Sequence, residues 1–332
     1  MTASAPAARG RLGEDPGRAL EGSSRRRIRE RVVHLIVQAA ALVSVVITVG
    51  IVASLVFRAV EFVLNLMNPS EADLAEAGGE VGLGSLWGDQ WAPRFLEFDV
   101  KTLLVGSIVV TIVAMAVAGP VGLGAAIYMS EYANERVRKV VKPIVEVLAG
   151  IPSVVLGFFA LRWISPNLVQ RLFSEAENQS LLAAGLGVGL LTIPLMASVS
   201  EDALRAVPRS LREASAGLGA RKRTTTLTVV LPAAVSGLVA AIIVATSRAI
   251  GETMVVFLAA GASGNSAQFT LNPLHRGSTM TAAMASQASG TDGTITELGF
   301  GSLFFVGFVL FVITLGLNLI ADRFVRRVRQ AY

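Results

Sequence analysis

Long apolar stretches separated by short polar segments run along most of the chain, and their lengths predict membrane-spanning helices. A helix needs about 20 consecutive apolar residues to cross the hydrocarbon core of a bilayer. Glycine and alanine are frequent within the stretches, which suits helices that pack closely against one another in lipid. The six predicted spans are residues 33–57, 102–128, 143–161, 181–200, 233–259 and 298–321.

Composition gives the same fold class, an all-α polytopic membrane protein. Hydrophobic residues make up 53% of the 332 residues and charged residues only 16%, which excludes an ordinary soluble domain. Residues 1–31 are rich in Ala, Gly, Pro and Arg without a hydrophobic period, so they are predicted to form a disordered basic tail. Residues 32–327 then form the transmembrane domain, and residues 328–332 a short C-terminal end.

Basic residues are concentrated in alternate connecting segments, and this pattern predicts the orientation. Lys and Arg cluster at residues 25–31, 136–142, 205–223 and 323–329. Connecting segments with such an excess stay on the cytoplasmic side of a membrane. We therefore expect a multi-pass membrane protein with both termini in the cytoplasm. Residue range 261–296 is expected to form a long external loop.

The residue types needed for metal, redox or nucleotide chemistry are scarce. The chain has no Cys and two His, so neither a thiolate site nor a histidine metal centre is predicted. No Gly-x-x-x-x-Gly-Lys-Ser/Thr segment is present to hold nucleotide phosphates. We predict no catalytic residue, no metal ligand and no cofactor in this chain, and we expect no nucleic-acid partner.

A pair of charged residues lies inside the fifth predicted span. Arg248 and Glu252 are four residues apart, which would place them on one face of a continuous helix. One interpretation is a structural ion pair that stabilises the bundle. The other is an anion pathway, because charged groups inside membranes usually line a route for solutes and a guanidinium matches the oxygens of an oxyanion.

Proline and glycine interrupt the third predicted span near its centre, at Gly150-Ile151-Pro152-Ser153. A broken helix offers unpaired backbone amides and the positive end of a half-helix dipole to an anion. A simple proline kink is the alternative interpretation. If the break forms a site, we expect it to face the pair on the fifth span.

The basic connection 201–232 lies between two predicted spans and has the features of a docking surface. Pro208 is suited to beginning a short helix, and Gly219 to ending it in a left-handed conformation. The predicted result is a rigid projection on the cytoplasmic side. The alternative is an amphipathic segment that lies among the lipid headgroups.

These segments together resemble the PstC-type permeases of phosphate ABC importers. Glu213-Ala214-Ser215-Ala216-Gly217-Leu218-Gly219, followed by Val229-Val230-Leu231-Pro232, is similar to the family's ATPase-docking signature, with Ser215 in place of an alanine. The segments Gly150-Ile151-Pro152-Ser153 and Arg248-Ala249-Ile250-Gly251-Glu252-Thr253-Met254 resemble the phosphate branch of the family.

The resemblance implies a non-catalytic subunit of the bacterial inner membrane that moves inorganic phosphate into the cytoplasm by alternating access. The implied partners are a second, PstA-like permease, a homodimeric PstB-like ATPase that binds ATP and Mg, and a PstS-like phosphate-binding protein outside the membrane. The substrate pathway would contain Arg248, Glu252, Thr253, Ser153 and Pro152. ATPase docking would use Glu213, Ala214, Gly219, Leu231 and Pro232.

Two other functions fit parts of the pattern. A permease for another oxyanion, such as sulfate or molybdate, would use the same docking surface and the same arginine. A secondary anion transporter that needs no ATPase would use Arg248 and Glu252 in an ion relay, but it leaves the docking signature without a role.

Overall fold

A computed structural model describes residues 24–70, 82–261, 267–289 and 296–329. By its contacts the chain divides after Ser54 into two units. The first helix, α1, covers Ser24–Met67 and therefore continues across this division. Residues 24–31, predicted as part of a disordered tail, are helical; the remainder of that predicted tail lies outside the described residues.

The second unit is a helical bundle with a small sheet, which confirms the predicted fold class. Within the described ranges, five helices are long and apolar enough to cross a membrane, or six if one bent pair is a single span. The helices are α2 Val100–Tyr132, α3 Glu135–Ala149, α4 Ser153–Leu172, α5 Leu181–Arg205, α6 Arg209–Gly217, α7 Lys222–Ile250, α8 Met254–Ala259, α9 Met280–Ser289 and α10 Glu297–Arg329.

Helices α2 and α5 form the centre of the bundle because small residues let their backbones approach. A Cβ atom added at Gly122 would lie 2.7 Å from the Met196 Cβ, and one at Gly189 would lie 3.1 Å from the Ala114 carbonyl oxygen. Ala114 is fully buried in the main apolar cluster. Close packing of this kind supplies dispersion contacts where lipid removes the hydrophobic drive for association.

Polar side chains begin these two helices. The Asp99 carboxylate accepts hydrogen bonds from the Lys101 amide and the Thr102 hydroxyl at the start of α2. Ser180 accepts from the Ala183 amide at the start of α5, 3.2 Å away. Each cap satisfies an amide that has no partner within its helix.

The third predicted span, residues 143–161, is divided into two helices in the structure. Helices α3 and α4 meet at an angle of 87° across residues 150–152. The sequence predicted this interruption, but not the angle or the bounds. Helix α3 is amphipathic and has no buried residue, whereas α4 continues to Leu172 through a π-helical stretch, Ala160–Val169.

The fifth predicted span, residues 233–259, also differs. Helix α7 ends at Ile250, Gly251 follows as its cap, and α8 starts at Met254. Glycine ends helices readily because it loses more conformational freedom there than other residues. Helix α7 starts earlier than predicted and includes a widened π-helical turn, Thr226–Val230, just before Pro232. Proline lacks an N–H donor and crowds the preceding turn, which accounts for the widening.

Two segments between the predicted spans contain ordered structure. Strands β1 Gln90–Ala92, β2 Glu97–Phe98 and β3 Ala267–Gln268 form an antiparallel sheet in the order β2-β1-β3. Trp91 is buried there against Phe98. The prediction of a loop over residues 261–296 was wrong in one respect, because this segment contains the partly buried helix α9.

Candidate transport pathway and docking helix

The starts of α4 and of the short helix α8 meet inside the bundle. A Cβ atom added at Gly157 of α4 would lie 2.9 Å from the Met254 carbonyl oxygen and 3.0 Å from the Val255 Cα of α8. These are backbone atoms, so only glycine allows the two helices to approach this closely. The approach brings the break before α4 and the break before α8 into one region, as the sequence led us to expect.

Helix α5 completes this contact through a second glycine. A Cβ atom at Gly187 would lie 2.8 Å from the Ala160 Cβ and 2.9 Å from the Val255 Cγ1. Helices α4, α5 and α8 therefore meet at two glycines, with Val255 fully buried between them. This packing fixes the positions of both helix breaks.

Glu252 caps the start of α8 and does not pair with Arg248. The helix that was predicted to carry both residues ends between them, so the expected shared face was wrong. The Glu252 side chain is buried, and its Oε1 accepts from the Val255 amide at 3.4 Å. An acceptor at a helix start satisfies an otherwise unpaired amide. Thr253, half-buried beside it, donates to the Gly251 carbonyl oxygen at 3.3 Å.

Arg248 lies in the last turn of α7 with its side chain exposed. Among the described residues it has neither an ion-pair nor a hydrogen-bond partner. The neighbouring Ser247 donates instead to the Asn318 side chain of α10 at 3.2 Å. A guanidinium in a membrane-spanning helix is costly to expose to lipid, so this face of α7 is suited to a water-filled cavity or to a polar partner.

Pro152 and Ser153 stand at the other break. Pro152 is exposed and precedes the first residue of α4, while Ser153 is half-buried. The Pro152 carbonyl oxygen accepts from the Val155 amide at 3.0 Å. The structure therefore brings Pro152, Ser153, Glu252 and Thr253 to adjacent helix starts, and it places Arg248 before the second break.

A layer of hydroxyl groups, which the sequence analysis missed, supports the second break. Thr281 of α9 donates to the Glu252 carbonyl oxygen at 2.8 Å, and the Ser107 hydroxyl of α2 accepts from the Met280 amide at 3.0 Å. The run Ser278-Thr279-Met280-Thr281 was the available signal, because Ser and Thr often begin helices. These bonds hold α9 against α2 and the start of α8.

Helix α6 projects from the connection between α5 and α7. It has no buried residue, and Glu213 and Ala214 are exposed. Leu211 is 43% exposed and Leu218 is 89% exposed, so these side chains, spaced around Ala214 at intervals of three and four, form an apolar stripe open to a partner. Gly219 has a φ of +78°, the left-handed conformation predicted for it.

The last two predicted docking residues begin the regular part of α7. Leu231 is half-buried and Pro232 is exposed, directly after the widened turn. Leu231 packs against an apolar cluster that contains Leu204 of α5 and Val230. Leu231 therefore belongs to the apolar packing between α5 and α7 and lies outside the exposed stripe of α6.

The fold and this projection define a class of membrane transporter subunit. Residues 118–330 match the family described as binding-protein-dependent transport system inner membrane component. This match covers more than half of the chain, and the protein belongs to that family of ABC transporter permeases. The resemblance drawn from the sequence is thereby confirmed.

Individual relatives agree with this assignment. The probable ABC transporter permease protein YqgH of Bacillus subtilis is 34% identical over 69% of this chain and 70% of its own length. Phosphate transport system permease protein PstC 1 of Mycobacterium tuberculosis is 31% identical over 70% of this chain and 74% of its own. PstC of Mesorhizobium japonicum is 28% identical over 90% of each chain.

A solved structure shows the same fold. The inward-facing MetNI methionine ABC transporter contains a chain of which 94% aligns with 69% of this protein, with a TM-score of 0.50 and 23% sequence identity. At that identity the likeness concerns the fold alone.

Proposed function

We propose that this protein is a membrane-spanning subunit of an ATP-driven importer of inorganic phosphate. The observation that carries the ATP-driven part is α6, a short helix with an exposed apolar stripe that ends at a left-handed Gly219. A rigid projection between two membrane-spanning helices suits docking into a cleft of an ATPase. Relatives named as phosphate transport permeases support the choice of substrate.

In this proposal, Arg248 attracts the anion and the start of α4 receives it. Arg248 has no partner among the described residues, so its five N–H donors are available to phosphate oxygens. The α4 start adds backbone amides and the positive end of a helix dipole, while the Val255 amide at the α8 start is already bonded to Glu252. Glu252 is held as a cap, and its charge prevents the anion from being bound too tightly.

The other parts of the importer are supplied by partners. A second permease, two copies of an ATPase that binds ATP and Mg, and an extracytoplasmic phosphate-binding protein complete the assembly, with both termini of this chain in the cytoplasm. ATP binding closes the ATPase pair, and α6 transmits that movement into the bundle. Because binding at the two ends is thermodynamically coupled, the docked binding protein also favours closure of the ATPase.

Uptake of labelled phosphate into vesicles that contain the whole assembly tests this function. We expect ATP-dependent uptake that excess sulfate and molybdate do not reduce. Uptake of sulfate or molybdate in place of phosphate would show that the substrate is a different oxyanion, while the ATP-driven mechanism would still hold. Phosphate movement without any ATPase would contradict the docking role of α6.

Replacement of Gly219 by Leu tests the docking helix itself. A side chain at a φ of +78° costs about 1–2 kcal/mol, so the end of α6 should distort. We expect the chain to remain in the membrane while ATP hydrolysis no longer drives uptake. Gly219→Asn is the matched control, because asparagine adopts the left-handed conformation at a positive φ more readily than leucine does. Normal uptake by Gly219→Leu would count against docking.

A further inference from the structure

Arg212 connects the docking helix to two of the helices that cross the bundle. Its Nη1 donates to the Val207 carbonyl oxygen at 2.6 Å, and its Nη2 donates to the Leu204 carbonyl oxygen at 2.8 Å. The Leu204 carbonyl lies in the last turn of α5 and the Val207 carbonyl two residues beyond its end, where a helix has acceptors that side chains can satisfy. The same Nη2 lies 3.0 Å from the Oε1 of Glu131, in the last turn of α2.

The burial of these groups makes the connection stronger than a surface ion pair. The Glu131 side chain is 7% exposed and the Arg212 side chain is 23% exposed. Ser130 donates to the same Glu131 oxygen at 3.0 Å, which fixes the orientation of the carboxylate. A guanidinium that makes charge-assisted bonds in several directions holds a defined geometry, whereas a solvated pair does not.

Two further contacts hold the start of α7, one to α6 and the other to α2. The Ser215 and Thr225 hydroxyls lie 2.9 Å apart, and the Lys222 ammonium lies 5.4 Å from the centre of the Tyr132 ring at the end of α2. Beneath them, Ala126, Leu204 and Val230 of the three long helices share one apolar cluster. The ends of α2, α5 and α7 thus converge under α6, and we call this set of contacts the α6 junction.

We infer that Arg212 is the positioning residue of the α6 junction and that, through Glu131, it makes α2 move together with α5, α7 and α6 when the ATPase closes. This inference rests on the proposed function. Because α6 has no buried residue, these polar contacts are what attach it. Glu213, the next residue, is exposed. Glu213 is therefore placed to contact the ATPase, while Arg212 attaches α6 to the bundle.

Transport assays of three variants in the whole assembly test the inference. Arg212→Gln removes the charge, Arg212→Lys keeps it, and Glu131→Gln leaves the bonds to the Leu204 and Val207 carbonyls intact. We expect the Gln variants to retain the bound ATPase and its basal hydrolysis, but to lose about tenfold in uptake and in stimulation by the loaded binding protein, a typical size for coupling between sites. Arg212→Lys should recover part of the loss. Arg171→Gln, exposed and outside the junction, should behave like the unmodified protein.

Each possible outcome either supports or overturns the inference. Uptake by Arg212→Gln equal to that of Arg171→Gln would overturn the inference. If Arg212→Gln fails to fold, Glu131→Gln decides alone, and unchanged coupling there would overturn the connection to α2. Absence of ATPase from the unmodified assembly would instead refute the proposed function, and the inference with it.

A distance measurement gives a readout that a purely stabilising role would not change. The chain has no Cys. Replacing the exposed Ser210 of α6 and the exposed Tyr128 of α2 by Cys therefore allows a spin label at each position, and with cysteine-free partners these are the two labels in the assembly. We expect the same distance distribution with and without trapped ATP, because the junction moves as one body. In Arg212→Gln the distribution should broaden or shift with ATP. An equal shift in the unmodified junction would overturn the inference.

Discussion

The α6 junction and the break between α7 and α8 each place an arginine near the end of a long helix, and they treat it differently. At the junction, Arg212 bonds to two backbone carbonyls and a buried carboxylate. At the break, exposed Arg248 has no partner among the residues that the structure describes, and nearby Glu252 caps α8. The junction is thus satisfied within this chain, whereas the arginine at the break is available to a solute or to another subunit.

The two regions also differ in how their backbones are held. At the break, α4 and α8 come together because Gly157 has no side chain. At the junction, side-chain hydrogen bonds and ion pairs connect the helix ends. A break held by packing should tolerate no added volume, while a junction held by polar contacts should respond to loss of a donor or an acceptor.

The largest effect is expected from Gly157→Val. The new side chain would meet the Met254 carbonyl oxygen and the Val255 Cα, and because backbone atoms yield little, we expect a cost at or above the usual 1–3 kcal/mol of overpacking, about 3 kcal/mol. Thermal unfolding of the purified assembly measures this loss. Gly119→Val in α2 is the control, because a Cβ there meets no atom within 4 Å. Equal stability of the two variants would show that the close approach is not required.

The second largest effect is expected from Arg248→Ala, measured as uptake. Hydrogen bonds to charged groups contribute about 1.5–3 kcal/mol, so loss of the guanidinium should lower phosphate uptake by about tenfold or more. Thermal stability should hold, because Arg248 has no bond within the described part of the chain. Arg248→Lys should keep part of the uptake. Loss of the folded assembly would instead show that Arg248 is needed for contact with another subunit.

The sequence predicted the bundle better than it predicted the breaks. Hydrophobic length was enough to locate α2 and α5, because both satisfy their backbone groups internally. It did not reveal the 87° angle between α3 and α4, which depends on tertiary packing. Spacing alone also misplaced Glu252, since a separation of four is informative only where the helix is continuous, and here Gly251 ends it.

The polar partners of buried segments were the least predictable part. The segment around α9 reads as a loop because Ser and Thr are frequent in it. In the structure the Thr281 hydroxyl donates to the Glu252 carbonyl oxygen, and the Met280 amide donates to the Ser107 hydroxyl of α2, 173 residues away. Arg212 was missed for a similar reason. In a basic segment its charge indicates only membrane orientation, and its acceptors become visible only once α2 and α5 are placed together.

A smaller effect is expected at the edge of the junction, from Glu201→Gln. The buried Glu201 carboxylate lies 2.8 Å from the Arg138 Nε of α3 and 3.4 Å from the Lys142 Nζ, with Arg205 at 3.7 Å. Since the cations are partly exposed, they can be solvated, and we expect a loss of about 1–2 kcal/mol of stability, below that of a fully buried pair. Asp202→Asn, at a carboxylate 70% exposed, should change stability by less than about 0.5 kcal/mol. Equal losses would show that burial does not matter here.

The smallest effect is expected from Ser215→Ala, which separates the two kinds of contact within the junction. It removes the hydrogen bond to Thr225, worth about 0.5–1.5 kcal/mol, and leaves every bond of Arg212 in place. Uptake should therefore fall by less than it does in Arg212→Gln, and Thr225→Val combined with Ser215→Ala should add little to either single change, because both remove the same bond. Ser210→Ala, at an exposed serine of the same helix, is the control. If Ser215→Ala uncoupled uptake as strongly as Arg212→Gln, the attachment of α6 to α7 would be the decisive one, and the junction would resemble the break in depending on a single close contact.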